Sequence, residues 1–183
     1  MRTEVRLAGF GGQGIIRAGL MLAMASCIYD NKNAVQTQSY GPESRGGSCK
    51  SEVVISDDEV DYPRVVEPDV LVIMSQEAFT TYAKTVKPNG ILLLDPDMVP
   101  RHELNGNVRV FKIPSTKMAE ELGKTIVANV VMLGALVAVS SITTPEAFKN
   151  ALLNNIPKGT EKLNLAAFEK GYGYGKKLWE GTD

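Results

Sequence analysis

Apolar positions along the chain fall into two rhythms. Short continuous apolar runs recur at Val5–Gly9, Asp69–Met74 (DVLVIM), Ile91–Asp95 (ILLLD) and Asn107–Ile113. Runs of this length suit strands covered on both faces, as in a parallel sheet. Ala34–Tyr40 (AVQTQSY) and Ser48–Ser56 (SCKSEVVIS) mix polar with β-branched residues. They predict two further strands, joined as a hairpin by Gly41–Gly47 (GPESRGG), whose glycines and proline mark a loop. Longer stretches at Ile15–Tyr29, Glu77–Val86, Ser115–Leu122, Ile126–Ser140, Pro145–Asn155 and Glu161 to about Lys177 predict helices. Asn31 and Asn33 supply a stop signal, Ser115 and Thr144 suit N-caps, and Pro145 suits a first helical turn. Strands alternate with helices through the middle of the chain. The expected fold is therefore α/β: a three-layer, mainly parallel, Rossmann-like sheet with an antiparallel portion and a helical C-terminal third. A length of 183 residues suits one domain over 1–183.

Composition removes several function classes. Hydrophobic residues make up 44% of the chain, enough for a packed core, and the net charge of -1 leaves no electrostatic footprint for nucleic acid. The longest apolar run, Ile126–Val139, contains Asn129 and Gly134. It falls short of the ~20 residues a membrane span needs, so it reads as a buried helix. The N-terminus enters a strand pattern without the layout of a cleavable leader. With only Cys27 and Cys49 in the chain, this predicts a cytoplasmic protein. An iron–sulfur cubane takes about four thiolates, more than this chain has.

Gly9, Gly11 and Gly14 satisfy G-x-G-x-x-G within GFGGQG, between a predicted strand and a predicted helix. Glycines there permit a tight turn and close approach of a ligand to the backbone. A helix start offers unpaired N–H groups to an anion, and Arg17 in the first turn adds charge. A dinucleotide site also needs an acidic residue at the end of the second strand. Here that strand ends Gln38-Ser39-Tyr40, and Asp30 precedes it, which disfavours the usual NAD mode. Two readings stay open: contact with a phosphate or cofactor, or tight packing of helix on sheet or subunit. The GPESRGG loop sits beside the glycine loop if its strand runs parallel to the first. Gly9, Gly11, Gly12, Gln13, Gly14, Ser39, Tyr40, Gly41, Glu43, Arg45 and Gly46 would then form one rim. That rim would hold an anionic cofactor, dock another subunit, or simply be solvated.

These segments carry a resemblance. GFGGQGI (Gly9–Ile15), TQSYGPESRGGSCKSEVVIS (Thr37–Ser56), DYPRVVEPDVLVIMSQEAF (Asp61–Phe79), NGILLLDPDMV (Asn89–Val99) and AEELGKTIVANVVMLGA (Ala119–Ala135) together resemble the gamma-subunit family of the 2-oxoacid:ferredoxin oxidoreductases. The Tyr-Gly-Pro form of the second loop resembles the 2-oxoglutarate and branched-chain types more than the pyruvate type. The resemblance implies one chain of a multi-subunit enzyme with alpha, beta and ferredoxin-like delta partners. That enzyme oxidatively decarboxylates a 2-oxo acid, passes electrons to ferredoxin and forms a coenzyme A thioester. Thiamine diphosphate and iron–sulfur clusters are expected on the partners. This chain shows neither a Gly-Asp-Gly thiamine motif nor cluster-ligand spacing. Its share is assembly and coenzyme A binding at the rim, with no catalytic residue and no metal of its own. The alternatives are a stand-alone nucleotide- or flavin-binding oxidoreductase, or a branched-chain or indolepyruvate-type subunit.

Other residues have plainer readings. Asn129 in the apolar helix reaches the rim or satisfies a buried hydrogen bond. Cys49 reads as a small buried side chain and His102 as surface. Asp57, Asp58 and Glu59 read as a solvated run. The helix Ile15–Tyr29 is apolar nearly all round, so either the core covers both sides or a partner covers one.

Overall fold

The computed structural model describes residues 1–40, 48–104 and 106–181, with Tyr40 described by its backbone alone. Its strands are β1 (Arg2–Phe10), β2 (Asn33–Tyr40), β3 (Ser48–Ser56), β4 (Val70–Ile73), β5 (Ile91–Leu94) and β6 (Arg109–Lys112). Among the described residues they form one sheet in the order β2-β3-β1-β4-β5-β6. β1, β4, β5 and β6 run parallel, while β3 is antiparallel to both β1 and β2. The helices are α1 (Ile15–Met24), α2 (Gln76–Tyr82), α3 (Ser115–Glu121), α4 (Ala128–Ser140), α5 (Pro145–Asn155) and α6 (Glu161–Glu180). The three-layer sheet with an antiparallel portion and a helical C-terminal third is thus observed.

Alternation along β4 shows why the apolar runs lie where they do. Val70 and Val72 join a core with α1, α4, α5 and α6, whereas Leu71 and Ile73 face Ala78 and Phe79 of α2. Both faces of the central strands are therefore covered, which a continuous apolar run requires. In α4 only Ala138 and Ser140 escape full burial. It is walled by the sheet on one side and α6 on the other. The α4–α6 contact is made by glycines. A Cβ on Gly134 would meet Tyr172 N at 2.8 Å, one on Gly171 would meet the Val131 carbonyl carbon at 2.7 Å, and one on Gly175 would meet Ala135 Cα at 2.8 Å.

Three helix ends differ from expectation. The stretch Ile15–Tyr29 is helical throughout, but Ala25–Tyr29 widens into a π-turn. α2 ends at Tyr82 and tightens into a 3-10 turn over Ala83–Thr85. Ser115 is not an N-cap: Pro114 holds that position, and Ser115 donates its hydroxyl to Asp95 Oδ2 at 2.7 Å. Thr144 does cap α5, accepting from Ala147 N. The outer side of α1 is not covered by the core. Leu20 is 41% exposed and Ile28, in the π-turn, 59%.

Two polar clusters fix the layers. On the α2 face, Arg6 of β1 stands directly across from Glu52 of β3, and both are buried. Arg6 Nε donates to Glu52 Oε1 at 2.7 Å, and its terminal nitrogens donate to Thr85 Oγ1 at 2.9 Å and Val65 O at 2.7 Å. Lys50 adds a second cation 3.0 Å from Glu52. On the other face, Asp30 ties the end of the π-turn to the start of α5. It accepts from Thr143 Oγ1, from Thr144 N at 2.8 Å and from Thr144 Oγ1 at 2.7 Å. Burial alone would raise the Asp30 pKa, but these hydrogen bonds outweigh it and leave the carboxyl below its ordinary 3.8. Because the folded value is depressed, the stabilisation is complete above 3.8. It is lost as pH falls from there through the folded value. Asp30→Ala is expected to cost about 1–2 kcal/mol at neutral pH, the range for losing a cap, and to flatten the acid limb of the stability curve in that window. Urea titrations from pH 7 down to 3 measure both; parallel wild-type and variant curves would refute the assignment.

Candidate functional site

The glycine loop is built by three conformational demands. Gly12 and Gly14 hold positive φ of 100° and 74°, and Gly14 caps α1 in the left-handed conformation. A side chain at either position would be strained. Gly9 lets the loop fold back, since a Cβ there would strike Gln13 Oε1 and meet Ile15 Cδ1 at 3.0 Å. Gly14 likewise admits the Asn129 amide from α4. Gln13 turns inward: its Oε1 accepts from Phe10 N at 2.9 Å and its Nε2 donates to Met74 O at 2.6 Å. It thereby staples the loop across the carboxyl ends of β1 and β4. Gly11 sits half-buried at the turn and Gly12 is exposed.

The first helical bond of α1 runs from Ala18 N to Gly14 O. The N–H groups of Ile15, Ile16 and Arg17 are left without an intrahelical partner, and no described side chain caps them. Arg17 is exposed beside them. This end of the loop opens into a cleft of about 390 Å³ between the glycine loop, α4 and α6. Asn129 lies on its wall, with Nδ2 3.5 Å from Gly14 O. The reach of Asn129 to the rim is thus observed, and its hydrogen bond there is at the distance limit.

The second loop's flanks also converge here. Gly9 and Tyr40 both pair with Cys49, and Phe10 pairs with Ser48. β2 is parallel to β1 with β3 between them, so Ser39 and Tyr40 stand at the same sheet end as the glycine loop. Ser39 is exposed. Gly41, Glu43, Arg45 and Gly46 lie outside the described residues.

Several titratable groups elsewhere are engaged structurally. Asp95, fully buried at the end of β5, accepts from Ser115 Oγ, Thr116 N and Thr116 Oγ1, each at 2.7 Å, and so clamps α3. His102 is half-buried, with Nδ1 2.7 Å from Val99 O, rather than a surface side chain. Asp57 pairs with the N-terminal amine at 2.7 Å. Cys49 is buried, which pushes its thiol up. Cys27 is exposed. Among the described residues no three His, Cys, Asp or Glu side chains are grouped to hold a metal, and the two cysteines do not make a cluster cradle. The end of β4, Ile73-Met74-Ser75, offers no acid to a ribose either.

Sequence reading missed Asn164 and Lys124, both on the cleft wall. Asn164 carried a signal. It falls on the buried stripe of α6 with Ala167, Phe168, Gly171 and Gly175, where a polar residue is out of place. Lys124 carried none.

Fold and site together define an α/β chain whose glycine loop joins the first strand to the first helix beside a cleft. The chain belongs to the pyruvate ferredoxin/flavodoxin oxidoreductase family, whose model matches residues 4–174. It is 53% identical over 180 residues to the 2-oxoglutarate synthase subunit KorC of Methanocaldococcus jannaschii, covering 97% of this chain and 96% of that one. The crystal structure of a keto/oxoacid ferredoxin oxidoreductase gamma subunit from Geobacter sulfurreducens superposes with a TM-score of 0.88 at 42% identity, over 96% and 97% of the two chains. A 2-oxoglutarate:ferredoxin oxidoreductase from Magnetococcus marinus, solved with 2-oxoglutarate, coenzyme A and succinyl-CoA bound, superposes with a TM-score of 0.84 at 25% identity. That match covers 97% of this chain and 31% of the longer one.

Proposed function

We propose that the chain is the gamma subunit of a cytoplasmic 2-oxoglutarate:ferredoxin oxidoreductase. The observation that carries this is end-to-end correspondence with KorC, supported by the close superposition on a gamma subunit. In the overall reaction the bond between C1 and C2 of the 2-oxo acid breaks and carbon dioxide leaves. The sulfur of coenzyme A bonds to C2, the thiol proton is released, and the electron pair passes to ferredoxin singly. Thiamine diphosphate and iron–sulfur clusters would supply the decarboxylation and the electron path, and the residues described here do not fit them. They belong on alpha, beta and ferredoxin-like delta partners.

This chain contributes assembly and a coenzyme A contact. The exposed stripe of Leu20 and Ile28 suits coverage by a partner. The glycine loop, with Ser39, Tyr40, Gly41, Glu43, Arg45 and Gly46, suits the phosphates. No described helix is long and apolar enough to cross a membrane. Affinity purification of the tagged chain from its own cells is expected to recover thiamine- and cluster-bearing partners. The recovered complex should reduce ferredoxin only with 2-oxoglutarate and coenzyme A together. A lone chain carrying its own nucleotide would defeat the proposal.

A further inference from the structure

The two edges of the sheet are built differently. β6 ends it on one side with four residues, and its Arg109 and Lys112 are exposed. A short strand that carries cations resists pairing with another chain. β2 ends the sheet on the other side with eight residues, NAVQTQSY, none of them charged and none proline. It pairs with β3 residue for residue from Asn33 opposite Ser56 to Tyr40 opposite Cys49, so no bulge twists it away. Among the described residues no strand pairs with its outer side, which leaves a row of N–H and C=O groups pointing outward. β2 thus lacks the shortness, charge, proline and bulge that keep an edge from pairing.

The flank of α1 above that edge is apolar. α4 packs over β5, so the side of α1 turned from α4 is the side toward β2. A Cβ on Gly19 would strike Ser51 of β3 and come within 3.2 Å of Gln36 Nε2 of β2, which places α1 over the space between the two strands. Successive residues turn about 100° round a helix. Ala18 therefore falls on the α4 side, with Met21 of the cleft wall, and Leu20 falls on the opposite flank, where it is exposed. The π-turn continues that flank. It sets Met24 and Tyr29 against Asn155 and Asn154 of α5 and leaves Cys27 and Ile28 exposed.

We propose that β2 and this flank of α1 form a two-fold interface with a second copy of the chain. The two β2 strands pair antiparallel about an axis normal to the sheet, and the two sheets become one. That rotation keeps α1 on the same face in both copies. Each α1 lies half a strand spacing inside its own edge, so with strands about 4.8 Å apart the two helices stand about 10 Å apart, the separation of packed helices. Leu20 and Ile28 of one copy are then covered by the same flank of the other. A second copy thus closes the edge and the apolar flank together. Charge agrees, since β2 paired with itself sets no like charges opposite one another. The inference stands on the fold and does not depend on which 2-oxo acid the enzyme uses.

Sedimentation equilibrium of the purified full chain, from low to high micromolar concentration, tests this. Wild type is expected to dimerise. Thr37→Lys, near the middle of β2, and Leu20→Lys should each weaken the dimer about tenfold or more, because like charges then face each other across the axis. Val110→Lys, on the β6 edge, should leave it unchanged. Melting temperatures taken where wild type is monomeric should match, which separates lost pairing from lost folding; Leu20→Lys, at an exposed helix position, serves if Thr37→Lys does not fold. Hydrogen exchange gives a second reading: outward amides of Asn33–Tyr40 should slow as wild type dimerises, and those of β6 should not. A chain that stays monomeric overturns the proposal, and so does a dimer indifferent to both lysines. A monomer whose β2 amides are protected only within the purified multi-subunit complex would give the edge to a strand of another subunit and overturn it equally. None of these results touches the gamma-subunit reading, which stands or falls on partner recovery.

Discussion

Gly171→Ala is expected to destabilise the chain by about 3 kcal/mol or more, the upper end of what overpacking costs. The added methyl would sit 2.7 Å from the Val131 carbonyl carbon and closer still to its oxygen. Those are backbone atoms of α4, a helix enclosed on nearly every side, so no rotamer change relieves the clash. α6 must lift from α4, and the stack of Phe168 on Phe148, with ring centres 5.1 Å apart, opens with it. Gly173 provides the control. It lies in the same helix, nothing approaches its Cβ position within 4 Å, and alanine there should add about 0.5–1 kcal/mol through helix propensity. Urea unfolding of both variants separates packing from propensity. If Gly171→Ala unfolds at the wild-type midpoint, the account of the α4–α6 contact is wrong.

The second large effect is expected at Arg6. Arg6→Met leaves Glu52 buried with only Lys50 beside it, and removing one partner of a buried pair costs about 3–5 kcal/mol. The loss belongs at the lower end, because Lys50 still reaches Glu52 at 3.0 Å. Thr85 Oγ1 and Val65 O also lose a donor, so the tie between the sheet and the connection after β3 loosens. The double variant Arg6→Met, Glu52→Leu should recover most of the deficit, since the stranded charge is what makes the single change expensive. A double variant no more stable than Arg6→Met would mean that the contacts to Thr85 and Val65 dominate.

Local rules made much of this fold legible. Ser48–Ser56 and Pro145–Asn155 were bounded correctly because their limits are set by residues next to them: the glycines before Ser48, the Thr144 cap, the Pro145 first turn. The glycine loop was equally readable, since its demand for positive φ is local. Failures came where a distant residue decides. Ser115 looks like a cap until Asp95, twenty residues earlier, claims its hydroxyl. Gly171 and Gly175 carry no local signal, and only the approach of α4 makes them necessary. The cleft is assembled from α1, α4 and α6, so no single stretch announces it. The half of the rim at Gly41–Gly47 rests on sequence alone.

The enclosure of α4 also sets the order of events while the chain is being made. α4 is completed at Ser140 and α6, its cover, ends at Glu180. At about 5–20 residues per second the intervening forty residues take roughly 2–8 s. For that interval a helix with no polar face has no partner on one side. Until α6 emerges, chaperones or the ribosome surface must shield it from other nascent chains.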